Sequence, residues 1–348
     1  MSPTSSPATS TPQSLRDLLA RAIEHRLPLI EKKSTQAFRA FSGAADGLDG
    51  VYIDIYGPGA TLMIYEGRAP KNFENSDAPS IVLESLATLG VRAVYKKPFA
   101  KDRSKLGGEL PSCVTDPIPA AGEQLPESFL IQEHGWSLEI RLYDGLSTGL
   151  FLDQRDNRRW IANKVRALAA ERSGGPAPTV LNTFAYTCAF SIAAALAGAH
   201  TASVDVSGRY LDWGKRSFAY NNLDISLHRF AKMDTFEFCT YARRKNLTFD
   251  FIVLDPPSFA AGSKKKGIRP WSSVDDYARL IKESAAILNP RGIIFASTNT
   301  TELCRPGRLD KEIVKGLGTQ PRWLNLPPPP IDFAREKERF AARAFTLS

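Results

Sequence analysis

The stretch Val180–Asp205, VLNTFAYTCAFSIAAALAGAHTASVD, decides the fold of this chain. Its composition predicts a strand, a loop, an Ala-rich helix and a second strand, at residues 179–183, 184–191, 192–199 and 202–206. Such a βαβ unit presents the amino end of a helix to a ligand, and an acid after the second strand suits ribose hydroxyls. The stretch therefore indicates either a nucleotide-type cofactor site, with Asp205 as the acid, or an ordinary buried crossover.

The loop between that first strand and its helix contains no glycine. Dinucleotide-binding folds carry G-x-G-x-x-G at this place, because glycine lets the backbone approach a pyrophosphate. An oxidoreductase that uses a dinucleotide is therefore disfavoured. S-adenosylmethionine has a ribose and an adenine but no phosphate, so it tolerates a bulkier loop and can still use Asp205. It is the cofactor that this stretch favours.

Two more acids follow predicted strands further along the chain. Asp234 follows residues 227–233, and Asp255 follows the apolar residues 250–254. Ligands of doubly wound sheets bind at the carboxyl ends of the strands, so both acids are expected to face one pocket. Asp255 also opens the motif DPPSF, Asp255–Phe259, in which two prolines end the strand and form a stiff wall suited to a flat base.

Composition limits the class of protein. The chain has 348 residues, 43% of them hydrophobic, which is enough for two cores, and no apolar run approaches the roughly 20 residues of a membrane span. The formal net charge of +8 favours a polyanionic partner such as nucleic acid. The four cysteines form no C-x-x-C pair, which predicts a reducing cytoplasm and no metal site. Oligomeric state is left open, with a homodimer as one alternative.

Composition shifts divide the chain into three parts. Residues 1–13 are rich in Ser, Thr and Pro and are predicted to be disordered. Residues 14–145 combine an amphipathic helix at 14–31 with β-rich segments, and are predicted to be a small α+β domain. Residues 146–348 contain the βαβ unit and the strands that follow it, and are predicted to form an α/β, doubly wound domain.

Two charged segments allow a structural and a functional interpretation. Residues 153–159, DQRDNRR, are either a solvated helix start before a helix at 160–170, or a polar rim over the ligand pocket. The loop with Lys264, Lys265, Lys266 and Arg269 is either a solvated run or a contact to phosphates.

Together these motifs resemble a known family, the class I S-adenosylmethionine-dependent methyltransferases of large-subunit (23S) ribosomal RNA that pair an N-terminal EEHG-type domain with a Rossmann-like catalytic domain. The resemblance covers roughly residue 34 to the end of the chain and rests on FRAFSGAADGLDGVYIDIYG, IQEHGWSLEI, TGLFLDQRDNRRW, VLNTFAYTCAFS, VDVSGRYLDWGKRSFAYNN and LDPPSF. For residues 146–348 it implies a Rossmann-like domain with a mostly parallel seven-stranded sheet. It also implies an S-adenosylmethionine cofactor, ribosomal RNA or a ribosome assembly intermediate as partner, and an RNA-docking role for the first domain.

The resemblance also implies a set of site residues. Asp205 would meet the cofactor's ribose, Asp234 its adenine, and Asp255 the transferred methyl group. The implied catalytic residues are Asp255, Pro256, Pro257, Ser258, Phe259 and Asn299. The implied cofactor-binding residues are Gln154, Arg155, Arg158, Asn182, Thr183, Phe184, Tyr186, Asp205, Val206, Ser207, Asp234, Thr235 and Asp255.

The methylated atom depends on chemistry after the fifth predicted strand. Relatives that methylate cytosine C5 place a nucleophilic cysteine in an S-C-S run there, because that carbon must first be activated through C6. This chain has Ser297-Thr298-Asn299, close to the S-N-N of relatives that methylate guanine N7, and Cys304 lies further on. Guanine N7 is therefore favoured over cytosine C5. A degenerate fold that only binds RNA is the third alternative, because Cys188 replaces the usual glycine of the cofactor loop.

Overall fold

The structure is a computed structural model that describes residues 14–100, 110–262, 269–336 and 339–347. The predicted tail of residues 1–13 and the basic run Lys264–Lys266 lie outside the described residues. The chain divides into two compact units, and the second contains Ser34–Gln36, Ser128–Arg141 and the residues from Ser147 onward. Residues 128–141, which the sequence analysis places in the first domain, thus group with the second unit.

The first unit combines a mixed sheet with two helices. Its elements are α1 (Leu15–Lys32), β1 (Ala37–Ser42), β2 (Val51–Tyr56), β3 (Gly59–Tyr65), α2 (Ala78–Leu86), β4 (Ala93–Phe99) and β5 (Ala121–Gly122). The strands pair in chain order, with β3 and β4 parallel and the other pairs antiparallel. The Ser14 side chain caps α1 by accepting from the Asp17 N–H, as its sequence predicts. Leu18, Leu19 and Leu29 of this helix are buried in the core.

The second unit holds the larger sheet. Its helices are α3 (Arg155–Glu171), α4 (Ala189–Leu196), α5 (Gly208–Tyr220), α6 (Thr235–Arg244), α7 (Ser273–Ala285), α8 (Thr301–Cys304) and α9 (Arg308–Leu317). Its strands are β6 (Phe129–Glu133), β7 (Trp136–Ile140), β8 (Thr179–Thr183), β9 (His200–Asp205), β10 (Arg229–Lys232), β11 (Phe249–Leu254), β12 (Phe259–Ala260), β13 (Trp271–Ser272), β14 (Leu288–Thr298), β15 (Arg322–Leu324) and β16 (Ala341–Thr346).

Seven strands form the main sheet in the order β10-β9-β8-β11-β14-β16-β15. The first five are parallel, and β16 is antiparallel to both of its neighbours. The chain builds outward from β8 through β9 to β10, then returns to the other side of β8 with β11. This reversal opens a crevice between β8 and β11 at their carboxyl ends, which is where such sheets bind ligands. The predicted doubly wound, mostly parallel seven-stranded sheet is confirmed.

Several predicted boundaries were wrong for local reasons. Helix α4 begins at Ala189 rather than 192, because Cys188 adopts a left-handed φ of 65° that ends the loop. Helix α3 begins at Arg155 rather than 160, so the charged segment supplies its first turn. Strand β14 begins at Leu288, and its pairing register with β11 shifts between Phe249 and Phe251 of β11.

None of the helices in the described part of the chain is both long enough and apolar enough to cross a membrane.

Candidate active site

The crevice between β8 and β11 brings together segments that lie far apart in the sequence. They are the loop after β8, Asp205 at the end of β9, Asp255 after β11, the end of β14, and the residues that lead into α3. The sheet topology alone places these groups at one edge, because parallel strands all end on the same side.

The glycine-free loop after β8 has an unusual backbone. The backbone φ values of Phe184, Tyr186 and Cys188 are 51°, 49° and 65°. They lie in a region that residues other than glycine seldom adopt. Three such residues alternate in this loop, although it contains no glycine. Strain of this kind costs about 1–3 kcal/mol per residue and persists where the surrounding structure enforces it.

The Asp205 carboxylate is one of the groups that hold the strained backbone of this loop in place. Its Oδ2 accepts from the Tyr186 N–H (2.9 Å) and its Oδ1 accepts from the Ser207 N–H (2.8 Å). Burial raises the pKa of this carboxyl, and the two backbone N–H bonds oppose that rise. A carboxylate offers about four acceptor positions, so two remain for a ligand.

Gly149, which the sequence analysis did not assign, holds the loop from the other side. Its N–H donates to the Tyr186 hydroxyl (2.9 Å) and its carbonyl accepts from Thr187 Oγ1 (2.6 Å). Its φ is 105°, and a Cβ built on it would lie 2.4 Å from the Trp213 ring. Only glycine fits here. The motif TGLFLDQR in which it lies is the sequence signal that points to it.

The side chain of Cys188 does not enter the pocket. It is fully buried, and a Cβ added to Gly214 of α5 would lie 2.5 Å from its sulfur. The cysteine that departs from the family's glycine is therefore accommodated by a glycine on the neighbouring helix.

Asp255 lies at the centre of a buried polar network. Gln154 Nε2 donates to Asp255 Oδ1 (3.0 Å) and Ser297 Oγ donates to the same oxygen (2.6 Å). Burial raises the pKa of Asp255, while the Ser297 hydrogen bond, the Arg158 charge and the Gln154 hydrogen bond oppose that rise. Both hydrogen bonds go to Oδ1, so Oδ2 has no partner among the described residues and remains available as an acceptor.

Gln154 is itself fixed in orientation. Its Oε1 accepts from Asn157 Nδ2 (2.9 Å), and its Nε2 also donates to Ser297 Oγ (3.1 Å). Ser297, another residue that the sequence analysis did not assign, has its carbonyl held by the Tyr277 hydroxyl (2.8 Å). The two side chains that donate to the Asp255 carboxylate are therefore held in place by hydrogen bonds of their own.

The two arginines of the first turn of α3 are buried rather than solvated. Arg158 donates through Nε and Nη2 to both carboxylate oxygens of Glu133, at 2.7 and 2.8 Å. Arg155 makes a second buried, two-pronged pair with Asp332. Of the two interpretations of the charged segment, a solvated helix start does not hold for Arg155 and Arg158, because both guanidiniums meet carboxylates from distant parts of the chain.

The DPPSF loop is held rigidly by the segment that begins α7. The Pro257 carbonyl accepts from Trp271 Nε1 (2.6 Å) and from Ser273 Oγ (2.9 Å). Ser258 Oγ donates to Asn299 Oδ1 (2.7 Å), which joins this loop to the end of β14. The Phe259 ring next to it is 66% exposed, so the rigid loop presents an open aromatic face.

A narrow pocket of about 40 Å³ marks the middle of the site. It is large enough for a methyl-bearing group but not for a nucleoside. Six of the predicted site residues line it together with Gly149 and Thr187: Gln154, Arg158, Asn182, Phe184, Tyr186 and Asp255.

The other predicted cofactor residues lie outside this pocket. The Arg155 side chain is committed to Asp332. Asp234 caps α6 by accepting from the Phe236 and Glu237 N–H groups, and Ser207 caps α5 by accepting from the Tyr210 N–H. Val206 is 43% exposed between Asp205 and α5, whereas Thr183 and Thr235 are buried.

The cysteines of the second unit are all deactivated by burial. Burial raises the pKa of the Cys188 and Cys239 thiols to about 12 and the pKa of the Cys304 thiol to about 11. Cys304 Sγ also donates to the Thr298 carbonyl (3.4 Å). At neutral pH these groups are thiols, whereas nucleophilic catalysis requires the thiolate.

Comparison with known proteins agrees with this geometry. Residues 112–316 match the family model described as "S-adenosylmethionine-dependent methyltransferase". A protein named "Putative ribosomal RNA large subunit methyltransferase YwbD" from Bacillus subtilis is 38% identical over 81% of this chain and 66% of its own length. "Ribosomal RNA large subunit methyltransferase K/L" of Psychrobacter arcticus is 33% identical over 76% of this chain and 32% of its own length. The matched part of the chain thus spans two thirds or less of the length of these curated relatives.

A solved structure is also similar over most of the chain. It is described as "SMU.776, a putative methyltransferase complexed with SAH", is 31% identical, and has a TM-score of 0.77. The match covers 96% of this chain and 82% of that one.

Proposed function

We propose, from the premise that this chain belongs to the S-adenosylmethionine-dependent methyltransferases, that it methylates a guanine N7 of 23S ribosomal RNA by direct transfer. The names of the curated relatives support ribosomal RNA as the substrate class. The observation that carries the choice of atom is the unpartnered oxygen of Asp255 in a site without an activated thiol among its described residues.

The residues around the β8–β11 crevice fit S-adenosylmethionine. The narrow pocket takes its methyl-bearing end, and the remaining acceptor positions of Asp205 take its ribose hydroxyls. The exposed Val206 offers an apolar surface to the adenine. We assign the adenine contact to Asp234 and Thr235, because both N–H groups that the Asp234 carboxylate caps donate to its Oδ1, and its Oδ2 has no partner among the described residues.

The Watson–Crick edge of guanine matches the groups beside this pocket. Asp255 Oδ2 can accept from the N1–H and N2–H₂ donors, and the Asn299 amide N–H₂, which has no partner among the described residues, can donate to O6. Guanine N7 already carries a lone pair. Bound cofactor supplies an electrophilic methyl group, so these residues need only orient the base, and positioning of this kind supplies much of the rate.

Cytosine C5 methylation has less support from the site. It requires a thiolate that attacks C6, but Cys304 is buried, hydrogen-bonded to a carbonyl, and has a raised pKa. A degenerate RNA-binding module is also disfavoured, since Asp205 and Asp255 both keep free acceptor positions and Cys188 points away from the pocket.

Nucleoside mass analysis of 23S ribosomal RNA treated with the enzyme and S-adenosylmethionine tests the proposal. We expect 7-methylguanosine from the wild-type chain and from Cys304→Ser, and a rate at least about a hundredfold lower from Asp255→Asn. RNA that contains 5-fluorocytosine should form no covalent adduct. Formation of 5-methylcytidine, with loss of activity in Cys304→Ser, would show that cytosine is the substrate.

Calorimetric titration with S-adenosylmethionine tests the cofactor assignment separately. Loss of the ribose acceptor in Asp205→Ala should weaken binding by about 1–3 kcal/mol. Asp212→Ala is the matched control, because Asp212 is exposed on α5 and pairs with Lys215 away from the crevice. Equal affinities for both variants would remove Asp205 from the site.

A further inference from the structure

A second hollow, of about 440 Å³, lies on the outer side of α6 and α7. Three arginines from separate segments surround it: Arg244 at the end of α6, Arg269 before β13, and Arg279 on α7. All three are exposed. We call this hollow the arginine pocket. Its other lining residues are Met233, Asp234, Phe236, Glu237, Thr240 and Tyr241.

The charges of the arginine pocket are not neutralised within the described part of the chain. None of the three guanidiniums pairs with a described carboxylate, whereas the adjacent Arg243 pairs with Glu283 at 2.8 Å. Asp234 and Glu237 also line the hollow, so its three arginines and two acids give a formal net charge of +1. The hollow therefore presents an excess of positive charge to solvent.

Arg279 is also held in a defined orientation. Its guanidinium carbon lies 4.2 Å from the centre of the Phe236 ring, which is a close cation–π contact. Such stacking leaves the N–H edges of the guanidinium free. Those edges match the oxygens of a phosphate in a two-pronged arrangement, which a lysine cannot reproduce.

A row of aromatic rings connects this pocket with the candidate active site. Phe236 lies 6.1 Å from Trp271, and Trp271 lies 5.3 Å from Phe184, between ring centres. Phe184 lines the narrow pocket of the candidate active site, and Trp271 supports the DPPSF loop through the Pro257 carbonyl. An anion in the arginine pocket would thus lie only a few side chains from the methylated base.

We propose that the arginine pocket binds a backbone phosphate of the RNA and so fixes the position of the strand that carries the target base. This inference rests on the proposed function, because it takes RNA as the substrate. Arginine contacts to phosphates set the register of a bound nucleic acid and carry no sequence information of their own. The pocket therefore contributes affinity and placement, and the groups at the active site choose the base.

The test compares two triple variants that remove the same charge. One is Arg244→Gln with Arg269→Gln and Arg279→Gln, and its control is Arg166→Gln with Arg308→Gln and Arg322→Gln, which are exposed arginines elsewhere in the same unit. Binding of a 23S ribosomal RNA transcript and of an unrelated RNA is measured by filter retention over a series of KCl concentrations.

We expect the pocket variant to bind both RNAs at least about tenfold more weakly, with a salt slope smaller by roughly 0.7–0.9 for each phosphate that the variant no longer neutralises. Affinity for S-adenosylmethionine should stay unchanged, and Arg279→Lys should retain only part of the RNA binding. Equal decreases in the two triple variants, or an unchanged salt slope in the pocket variant, would overturn the inference.

Three further results test this inference together with its premise. If the wild-type chain methylates the RNA while the pocket variant keeps its full salt slope, the pocket inference fails and the proposed function stands. If calorimetry shows that inorganic phosphate alone saturates the pocket and leaves RNA binding intact, the site is one for a small anion. If the wild-type chain binds no RNA, both proposals are wrong.

Discussion

The arginines at the amino end of α3 and those of the arginine pocket are the same residue type in opposite environments. Arg158 and Glu133 expose 1% and 0% of their side chains, so a ligand cannot reach the Glu133 carboxylate. Arg244 and Arg279 are exposed and have no acidic partner among the described residues. The difference teaches that burial and pairing, rather than charge density in the sequence, separate arginines that support the site from arginines that can bind a substrate.

The largest effect on stability is expected when the buried pair of Arg158 and Glu133 is broken. Arg158→Met would leave the Glu133 carboxylate buried and unpaired, and breaking such a pair typically destabilises a protein by about 3–5 kcal/mol. Urea denaturation gives the free energy of unfolding. The double variant Arg158→Met with Glu133→Leu removes both charges and should recover most of the stability. A single variant as stable as the wild type would mean that the pair is dispensable.

Arg172 and Asp250 form an intermediate case, with 34% and 5% of their side chains exposed. Burial opposes ionisation of Asp250, but hydrogen bonds from Arg172, the Thr179 N–H and Asn289 outweigh it and lower its pKa from 3.8 to about 2. The unfolded chain therefore binds this proton more readily than the folded chain. The stability from this group is complete above about pH 4 and is lost as the pH falls toward 2.

Asp250→Asn should therefore remove about 2 kcal/mol at pH 7, and the difference from the wild type should shrink on acidification. Thermal or urea unfolding at pH 7, 4 and 3 measures it. Arg172→Gln should be less destabilised than Asp250→Asn, because Thr179 and Asn289 still hold the carboxylate. A difference from the wild type that is independent of pH would contradict the assignment.

The pair of Arg308 and Glu302 should contribute little to stability. Its side chains are 44% and 46% exposed, and exposed pairs typically contribute about 0–1 kcal/mol, less at high salt. Arg308→Gln is expected to change the free energy of unfolding by less than about 1 kcal/mol, with a smaller change at about 0.5 M KCl. A destabilisation comparable to that of Arg158→Met would contradict the expectation that exposed ion pairs contribute less to stability than buried ones.

Arg244→Gln should have the smallest effect on stability and still matter for binding. An exposed side chain without a partner usually changes stability by no more than about 0.5 kcal/mol when replaced. The same variant should weaken RNA binding measurably at low salt. Destabilisation by more than about 1 kcal/mol would show that Arg244 supports the fold and would remove it from the proposed phosphate site.

The sequence by itself determined the α/β class, the strands of the doubly wound domain from β8 to β11, and the acids at the ends of β9 and β11. These features follow from local patterns, because strand periodicity and a polar residue after an apolar run are visible within a few neighbouring residues. The glycine-free loop likewise predicted the class of cofactor, S-adenosylmethionine, which the family confirms.

Only the tertiary structure decided which charges meet. Arg155 pairs with Asp332 from 177 residues away, and Arg158 pairs with Glu133 from a hairpin that the sequence analysis placed in the other domain. Gly149 is separated by 37 residues from the Tyr186 that it holds, and the arginine pocket gathers three segments that share no motif. A local pattern records which residues carry charge, whereas their partners and their exposure are set by how the sheet brings distant segments to one edge.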